Sequence, residues 1–159
     1  MKEVFFESVD FTRHIKDILE KDENDKIYDV DLEKINEVVL NTKNLRGMIL
    51  DVNVRDLLLL PNLKSCYIKN MQLTDNEIGV LNKLSNLKEL QLHNCWFLNK
   101  KEKLTLDIET LAIVNCYNFR SDILKKLKQL ETLMVKPKVG VKEREFRRLK
   151  TLQRLYLEG

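Results

Sequence analysis

Three sets of side chains in this chain of 159 residues could do chemistry: the thiols of Cys66, Cys95 and Cys116, the imidazoles of His14 and His93, and the carboxylates crowded between Asp22 and Asp31. Catalysis by a thiol needs a base in hydrogen-bond reach. His93 lies two residues before Cys95, but the repeat described below turns the two side chains to different faces. Cys66 falls at an apolar repeat position and reads as a small buried hydrophobe, and His14 reads as a surface residue. The acidic run Asp22-Glu23-Asn24-Asp25, with Asp29 and Asp31 beyond it, invites a calcium reading. An EF-hand loop requires D-x-[DN]-x-[DN]-G and a glutamate at its twelfth position. Counted from Asp22, the fifth position is Lys26 and the sixth Ile27, so the segment reads as a solvated loop. Nucleotide-binding, zinc-protease and serine-hydrolase signatures are absent. The sequence therefore indicates no enzyme, no metal and no cofactor.

Composition bounds what can hold these residues. Hydrophobic residues make up 43% and charged residues 33%, the balance of a folded globular chain rather than a disordered one. Only 4 Gly and 2 Pro occur, too few for a linker or a turn-rich β-sandwich. No apolar run reaches the ~18 residues of a membrane span. The segment Met1–Glu7 has no apolar stretch of the secretory type, and three cysteines without CxxC spacing fit a reducing compartment. The expectation is a cytoplasmic protein with no membrane partner, or one that leaves by a route not written in a secretory signal. The net charge of +3 conceals an asymmetry: residues 1–40 carry a net −6, and residues 120–159 a net +7. Such polarity can steer an oppositely charged partner.

Periodicity supplies the architecture. From Leu63 the pattern L-x-x-L-x-L-x-x-C/N recurs. Its copies are Leu63, Cys66, Ile68 and Met71; Leu87, Leu90, Leu92 and Cys95; and Ile108, Leu111, Ile113 and Cys116. Leu130, Leu133 and Val135 follow, then Leu152, Leu155 and Leu157. A weaker copy, Leu45, Met48, Leu50 and Asn53, precedes them. The last two apolar positions of each copy are two apart, so they point to one side of a short strand. One strand and its return cannot bury that face alone, so the copies must stack. Spacing near 22 residues with this pattern is the leucine-rich repeat. The expected fold is an α/β solenoid of about six repeats over residues 45–159. It forms a right-handed, horseshoe-like arc, with a parallel sheet on the concave side and short helical or 3-10 returns on the convex side. Thr74-Asp75-Asn76-Glu77 reads as a capping box opening one return, Ser121-Asp122 opens another, and 143–149 forms a third.

Residues 1–44 do not fit the repeat and read as a helical cap. Asp10 can cap a helix whose inner face is Phe11, Ile15, Ile18 and Leu19. A second helix is expected from Val30 to Leu40, with Leu32, Ile35, Val38 and Val39 inward. An acidic outer face suits the terminal unit of a solenoid.

The stretches Phe6-Glu7-Ser8-Val9-Asp10-Phe11-Thr12-Arg13-His14-Ile15 and Lys26-Ile27-Tyr28-Asp29-Val30-Asp31-Leu32-Glu33-Lys34-Ile35 resemble the helical cap of bacterial internalin-type proteins. That cap likewise leads into 22-residue repeats. Tyr28 stands where that family usually has Thr, and neither a secretion signal nor a C-terminal anchoring region is evident. The resemblance implies a protein partner bound on the concave repeat face, often a host-cell protein.

The repeat register names that face residue by residue. Between the inward positions lies a central column of Ile49, Tyr67, Gln91, Ala112, Met134 and Tyr156. It carries no charge, and its tyrosines and methionine match the composition of protein interfaces. Lys69, Glu89, His93, Thr110, Lys136 and Arg154 flank it. Two other readings compete. The basic C-terminal third, with Lys125, Lys126, Lys128, Arg144, Arg147, Arg148 and Lys150, could take nucleic acid. The last strand, Tyr156-Leu157-Glu158, has no capping unit after it, and its edge could serve assembly or self-association.

Overall fold

The computed structural model describes residues 1–159. Six parallel strands form one sheet in the order β1-β2-β4-β6-β7-β8: β1 (Glu37–Asn41), β2 (Ser65–Lys69), β4 (Glu89–His93), β6 (Thr110–Val114), β7 (Thr132–Lys136) and β8 (Arg154–Leu157). A second, two-stranded sheet joins β3 (Gln72–Leu73) to β5 (Trp96–Phe97) just past the strand exits. Four of the five returns between strands carry a short helix: 3-10 turns at Val54–Leu59 and Ser121–Leu124, α3 (Asp75–Leu81) and α4 (Glu143–Phe146). This is the expected leucine-rich-repeat solenoid.

The stacking follows from the repeat pattern. On β2, β4 and β6 alternate residues are fully buried, and register pairs them across the sheet: Cys66 with Leu90, Leu90 with Leu111, Leu111 with Leu133. Ile68, Leu92, Ile113 and Val135 make the second buried row. With the leucines of the returns they form one continuous core running the length of the molecule. Each buried side chain removes apolar surface from water at about 25 cal/mol per Å², and no repeat could do this without its neighbours. The returns also behave as read. Thr74 caps α3, accepting from Asn76 N–H at 3.2 Å, while Glu77 accepts from Thr74 N–H at 2.9 Å. Ile123, Leu124 and Leu127 are buried behind Ser121.

Asparagines turn the chain at the exits of β2, β4 and β6. Asn70, Asn94 and Asn115 sit at φ 58°, 51° and 51°, the left-handed region that asparagine tolerates better than other non-glycine residues. Their N–H groups donate to the carbonyls of His93, Val114 and Lys136 in the next coil. Gly140 meets a stricter demand. Its φ is 77°, and an added Cβ would lie 1.8 Å from the carbonyl oxygen of Phe119.

The N-terminal unit departs from expectation. Helix α1 spans Val9–Ile18 with Ser8, not Asp10, at its N-cap position. Phe11 and Ile15 are buried, but Ile18 is exposed. The second helix, α2, covers only Asp29–Leu32. Of the residues expected to continue it to Leu40, those from Glu37 on instead form β1, the first strand of the sheet. The reason is competing periodicity. Ile35, Val38 and Val39 fit a helical face, yet Ile35-x-x-Val38-x-Leu40 is a repeat copy, and the stacked sheet buries Ile35, Val38 and Leu40 together. The first strand of the sheet thus lies at Glu37–Asn41, upstream of residue 45. The weaker copy at Leu45 is not a strand of the sheet: Leu45, Met48 and Ile49 are exposed in a hairpin closed by an antiparallel bridge between Lys43 and Ile49. Asn53, expected at the ninth repeat position, caps the following 3-10 turn by accepting from Arg55 N–H at 3.0 Å.

Candidate functional site

Alternation along each strand leaves one sheet face free of the core. Register aligns Val39, Tyr67, Gln91, Ala112, Met134 and Tyr156 as its central column. On one side run Glu37, Ser65, Glu89, Thr110, Thr132 and Arg154; on the other run Asn41, Lys69, His93, Val114 and Lys136. Of the residues expected on this face, Tyr67, Lys69, Glu89, Gln91, His93, Thr110, Ala112, Met134, Lys136, Arg154 and Tyr156 all occupy it. Ile49 does not; it lies off the sheet in the hairpin, 86% exposed. Its place in the column is taken by Val39, which the sequence signals only through the buried pair Val38 and Leu40 beside it.

The face is pre-arranged by its own contacts. Tyr67 and His93 meet edge to face, ring centroids 4.3 Å apart, and the Tyr67 hydroxyl lies 2.9 Å from His93 Nδ1. Lys69 Nζ sits 4.3 Å over the Tyr67 ring, a cation–π contact. Burial, with the Lys69 charge beside it, holds the His93 imidazole below its ordinary pKa, which favours the neutral ring. Glu89 accepts from Gln91 Nε2 at 2.7 Å. Lys136 pairs with Glu158 at 2.6 Å, and Arg154 Nε reaches Thr132 Oγ1 at 3.2 Å. The outcome is an uncharged strip of Val, Tyr, Gln, Ala, Met and Tyr between charged borders, in which His93 and Lys69 hold the Tyr67 ring in place.

The remaining chemistry-bearing residues are engaged elsewhere. Cys66 is fully buried, and burial pushes its thiol up to about 12. Cys95 and Cys116 point inward at the strand exits, toward the carbonyls of Ile68 (3.6 Å) and Leu92 (3.3 Å). The neighbouring Cys116 thiol and burial raise the pKa of Cys95. His93 and Cys95 do face different ways, as the repeat required. In the acidic N-terminal loop, Asp25 accepts from Asp22 N–H at 2.8 Å. Asp31 pairs with Lys21 at 3.2 Å and accepts from Tyr28 N–H. His14 is half-buried against Phe11 rather than on the open surface. No helix is long and apolar enough to cross a membrane.

On the convex side, Lys125, Lys126, Lys128, Arg144, Arg147, Arg148 and Lys150 are exposed and make no ion pair. At the β8 end, Leu155 is 42% exposed, whereas its register partner Leu133 is fully buried. Phe146, Leu149, Leu152, Leu155 and Leu157 border an open hollow there of about 620 Å³.

No known protein-family profile and no curated protein matches the chain. Among solved structures, it is similar to internalin C2 from Listeria monocytogenes str. 4b F2365, with a TM-score of 0.61 and 21% identity. That match covers 96% of this chain and 65% of the other. An internalin (InlF) from the same strain gives a TM-score of 0.47 and 18% identity, over 94% of this chain and 56% of that one. The chain thus spans less than two thirds of the length of either structure. In fold, this protein is a leucine-rich-repeat solenoid of the kind seen in the internalin C2 structure.

Proposed function

We propose that this chain is a non-catalytic protein-interaction module that takes its partner on the concave sheet face. The observation that carries the reading is the central column. A sheet face exposed only to water favours charge, yet Val39, Tyr67, Gln91, Ala112, Met134 and Tyr156 form an uncharged strip. Tyrosine and methionine are enriched at the cores of protein interfaces, where charge is depleted. Tyr67 and Tyr156 would act as anchors, with Met134 adapting to the partner's shape. Lys69, Glu89, Lys136 and Arg154 would form the polar rim that sets orientation.

Replacing Tyr67→Glu and Met134→Lys together tests this. Both positions lie on the solvent side of the sheet, so the double variant keeps thermal unfolding near that of the wild type while losing the partner. Retained capture by a folded double variant refutes the concave face.

A second reading is favoured by the seven unpaired cations of the convex returns, which could hold a phosphate backbone. It predicts binding that collapses steeply as salt rises. These cations alternate with buried leucines and carry no stacking aromatic beside them, so the concave face remains the preferred reading. A salt-series gel shift with the wild-type chain separates the two. An assembly role at the exposed β8 edge is read from the same preparation by light scattering.

A further inference from the structure

The flank where the strands end carries a second surface. Three residues past each strand, a ladder runs along the solenoid: Gln72 pairs in register with Trp96, Trp96 bridges to Tyr117, and Val139 stands at the same offset after β7. Trp96 and Tyr117 stack with ring centroids 4.9 Å apart and planes 15° from parallel. Tyr117 is 54% exposed and Val139 70%. On the other side of Trp96 a groove of about 520 Å³ opens, walled by Thr42, Lys43 and Ile49 from the hairpin and by Gln72, Trp96 and Leu98. Ile49 is the residue the sequence placed on the concave face.

The chemistry of the lining narrows what can enter. Tyr117 covers one face of the indole, leaving the rest of Trp96 to the groove. The Thr42 hydroxyl already donates to Asn70 O, and Asn70 Nδ2 spends one of its two donors on Asn41 Oδ1. The exposed Gln72 carboxamide makes no hydrogen bond within the protein and is free for a visitor's backbone. Lys43 is the one charged residue of the lining, and no carboxylate lines it. Arg46, Lys100 and Lys101 lie exposed on the adjoining loops without ion-pair partners. Asp75 fixes the loop that carries the two lysines, accepting from the N–H groups of Lys100, Lys101 and Glu102 at 2.9, 3.0 and 2.9 Å. The groove is therefore apolar and aromatic on its walls, with Lys43 as its one charge; on the adjoining loops Arg46, Lys100 and Lys101 outnumber the single exposed carboxylate of Glu102.

We propose that this groove is a second docking site, independent of the concave face, for an aromatic side chain carried in an acidic segment of a partner protein. The aromatic ring packs between Trp96 and Ile49. Carboxylates on either side of it meet Lys43, Arg46, Lys100 and Lys101, which speeds encounter and fixes register. A groove that admits one ring fits a peptide better than a flat bilayer.

Trp96 is the single tryptophan of the chain, so its fluorescence reports on the groove directly. The probe is a synthetic peptide of Asp and Glu around one Phe, titrated into the full chain. Two control peptides replace the Phe with Ala or the acidic residues with Lys. The expected result is a saturable change in Trp96 emission with the acidic Phe peptide alone. Binding should weaken about tenfold in Ile49→Asp or in Lys43→Glu/Arg46→Glu, weaken with salt, and stay unchanged in Tyr67→Glu/Met134→Lys. Loss in that concave variant would refute independence of the two faces. Ile49 and Lys43 lie outside the core, so melting curves of the groove variants should overlay the wild type. An equal response to the Ala peptide, or none to the acidic Phe peptide, overturns the proposal. So does a response confined to phosphatidylserine vesicles or to single-stranded DNA.

Discussion

The hydroxyl of Ser8 donates to Oδ2 of Asp56 at 2.5 Å across 48 residues of sequence. The N–H groups of Glu7 and Ser8 donate to the same carboxylate at 2.8 and 3.0 Å, and Asp56 is 1% exposed. A buried carboxylate that gathers three donors joins the N-terminal helix to the first 3-10 return. Asp10 and Asp51 reinforce the junction, since Asp51 N–H donates to Asp10 Oδ2 and Val9 N–H to Asp51 Oδ2. Ser8 thus serves the joint rather than the helix it precedes.

Removing that carboxylate strands its donors in a buried site. Asp56→Ala should cost about 3 kcal/mol, and Asp56→Asn, which keeps one acceptor oxygen, should cost less. Urea unfolding measures both. Equal stability of Asp56→Ala and the wild type would mean that the cap is held by its apolar contacts alone.

Stacking predicts that the same substitution has different costs along one buried row. Leu111→Ala, fully buried between Leu90 and Leu133, should lose about 2–5 kcal/mol. Leu155→Ala, at a position 42% exposed, should lose about 1 kcal/mol, since less surface leaves the core. Comparable losses in denaturant melts would contradict the parallel stack.

Both imidazoles titrate below the ordinary value of 6.5. Burial is the main cause in each, opposed at His14 by Asp17 and assisted at His93 by Lys69. Between the folded value and 6.5 the unfolded chain binds more protons. Their contribution to stability is therefore present above about pH 6.5 and is lost as the pH falls through that value toward the folded ones. Proton NMR of the two rings should give midpoints under 6.5, and His93→Asn should flatten part of the acid slope. Midpoints at or above 6.5 would contradict the packing described for Tyr67, Lys69 and His93.

The thiols should differ in reactivity. Cys66 is pushed up to about 12 by burial, and Cys95 is fully buried with its pKa raised by Cys116 and by burial. Cys116 is only partly buried, and the neighbouring Cys95 thiol lowers its pKa. Iodoacetamide at mildly alkaline pH should label Cys116 first, with the other two protected until the chain unfolds. Mass spectrometry of the labelled peptides checks the order; early labelling of Cys66 would contradict it.

Where a copy of the repeat has strong neighbours, sequence reads directly into structure. Cys66, Leu90, Leu111 and Leu133 stand in one row because the apolar pair two residues apart admits a single strand register. The first copy was hidden because two patterns compete there. Ile35, Val38 and Val39 satisfy a helical face, while Ile35, Val38 and Leu40 satisfy the repeat, and only stacking against Cys66 and Ile68 decides between them. Leu45, Met48 and Leu50 mimic a copy, but six strands were already supplied by the rest of the chain, and the hairpin leaves Leu45 and Met48 in solvent. The Trp96–Tyr117 stack was illegible for another reason. Its residues lie outside the repeated core positions, so nothing in the period says whether they are inside or out.

The concave-face account is tested most directly by a photo-crosslinking amino acid placed at Gln91, in the middle of the central column, and at Lys126 on the convex returns. With the partner present, the account predicts a protein adduct from position 91 and none from position 126. Adducts from position 126 alone would contradict it.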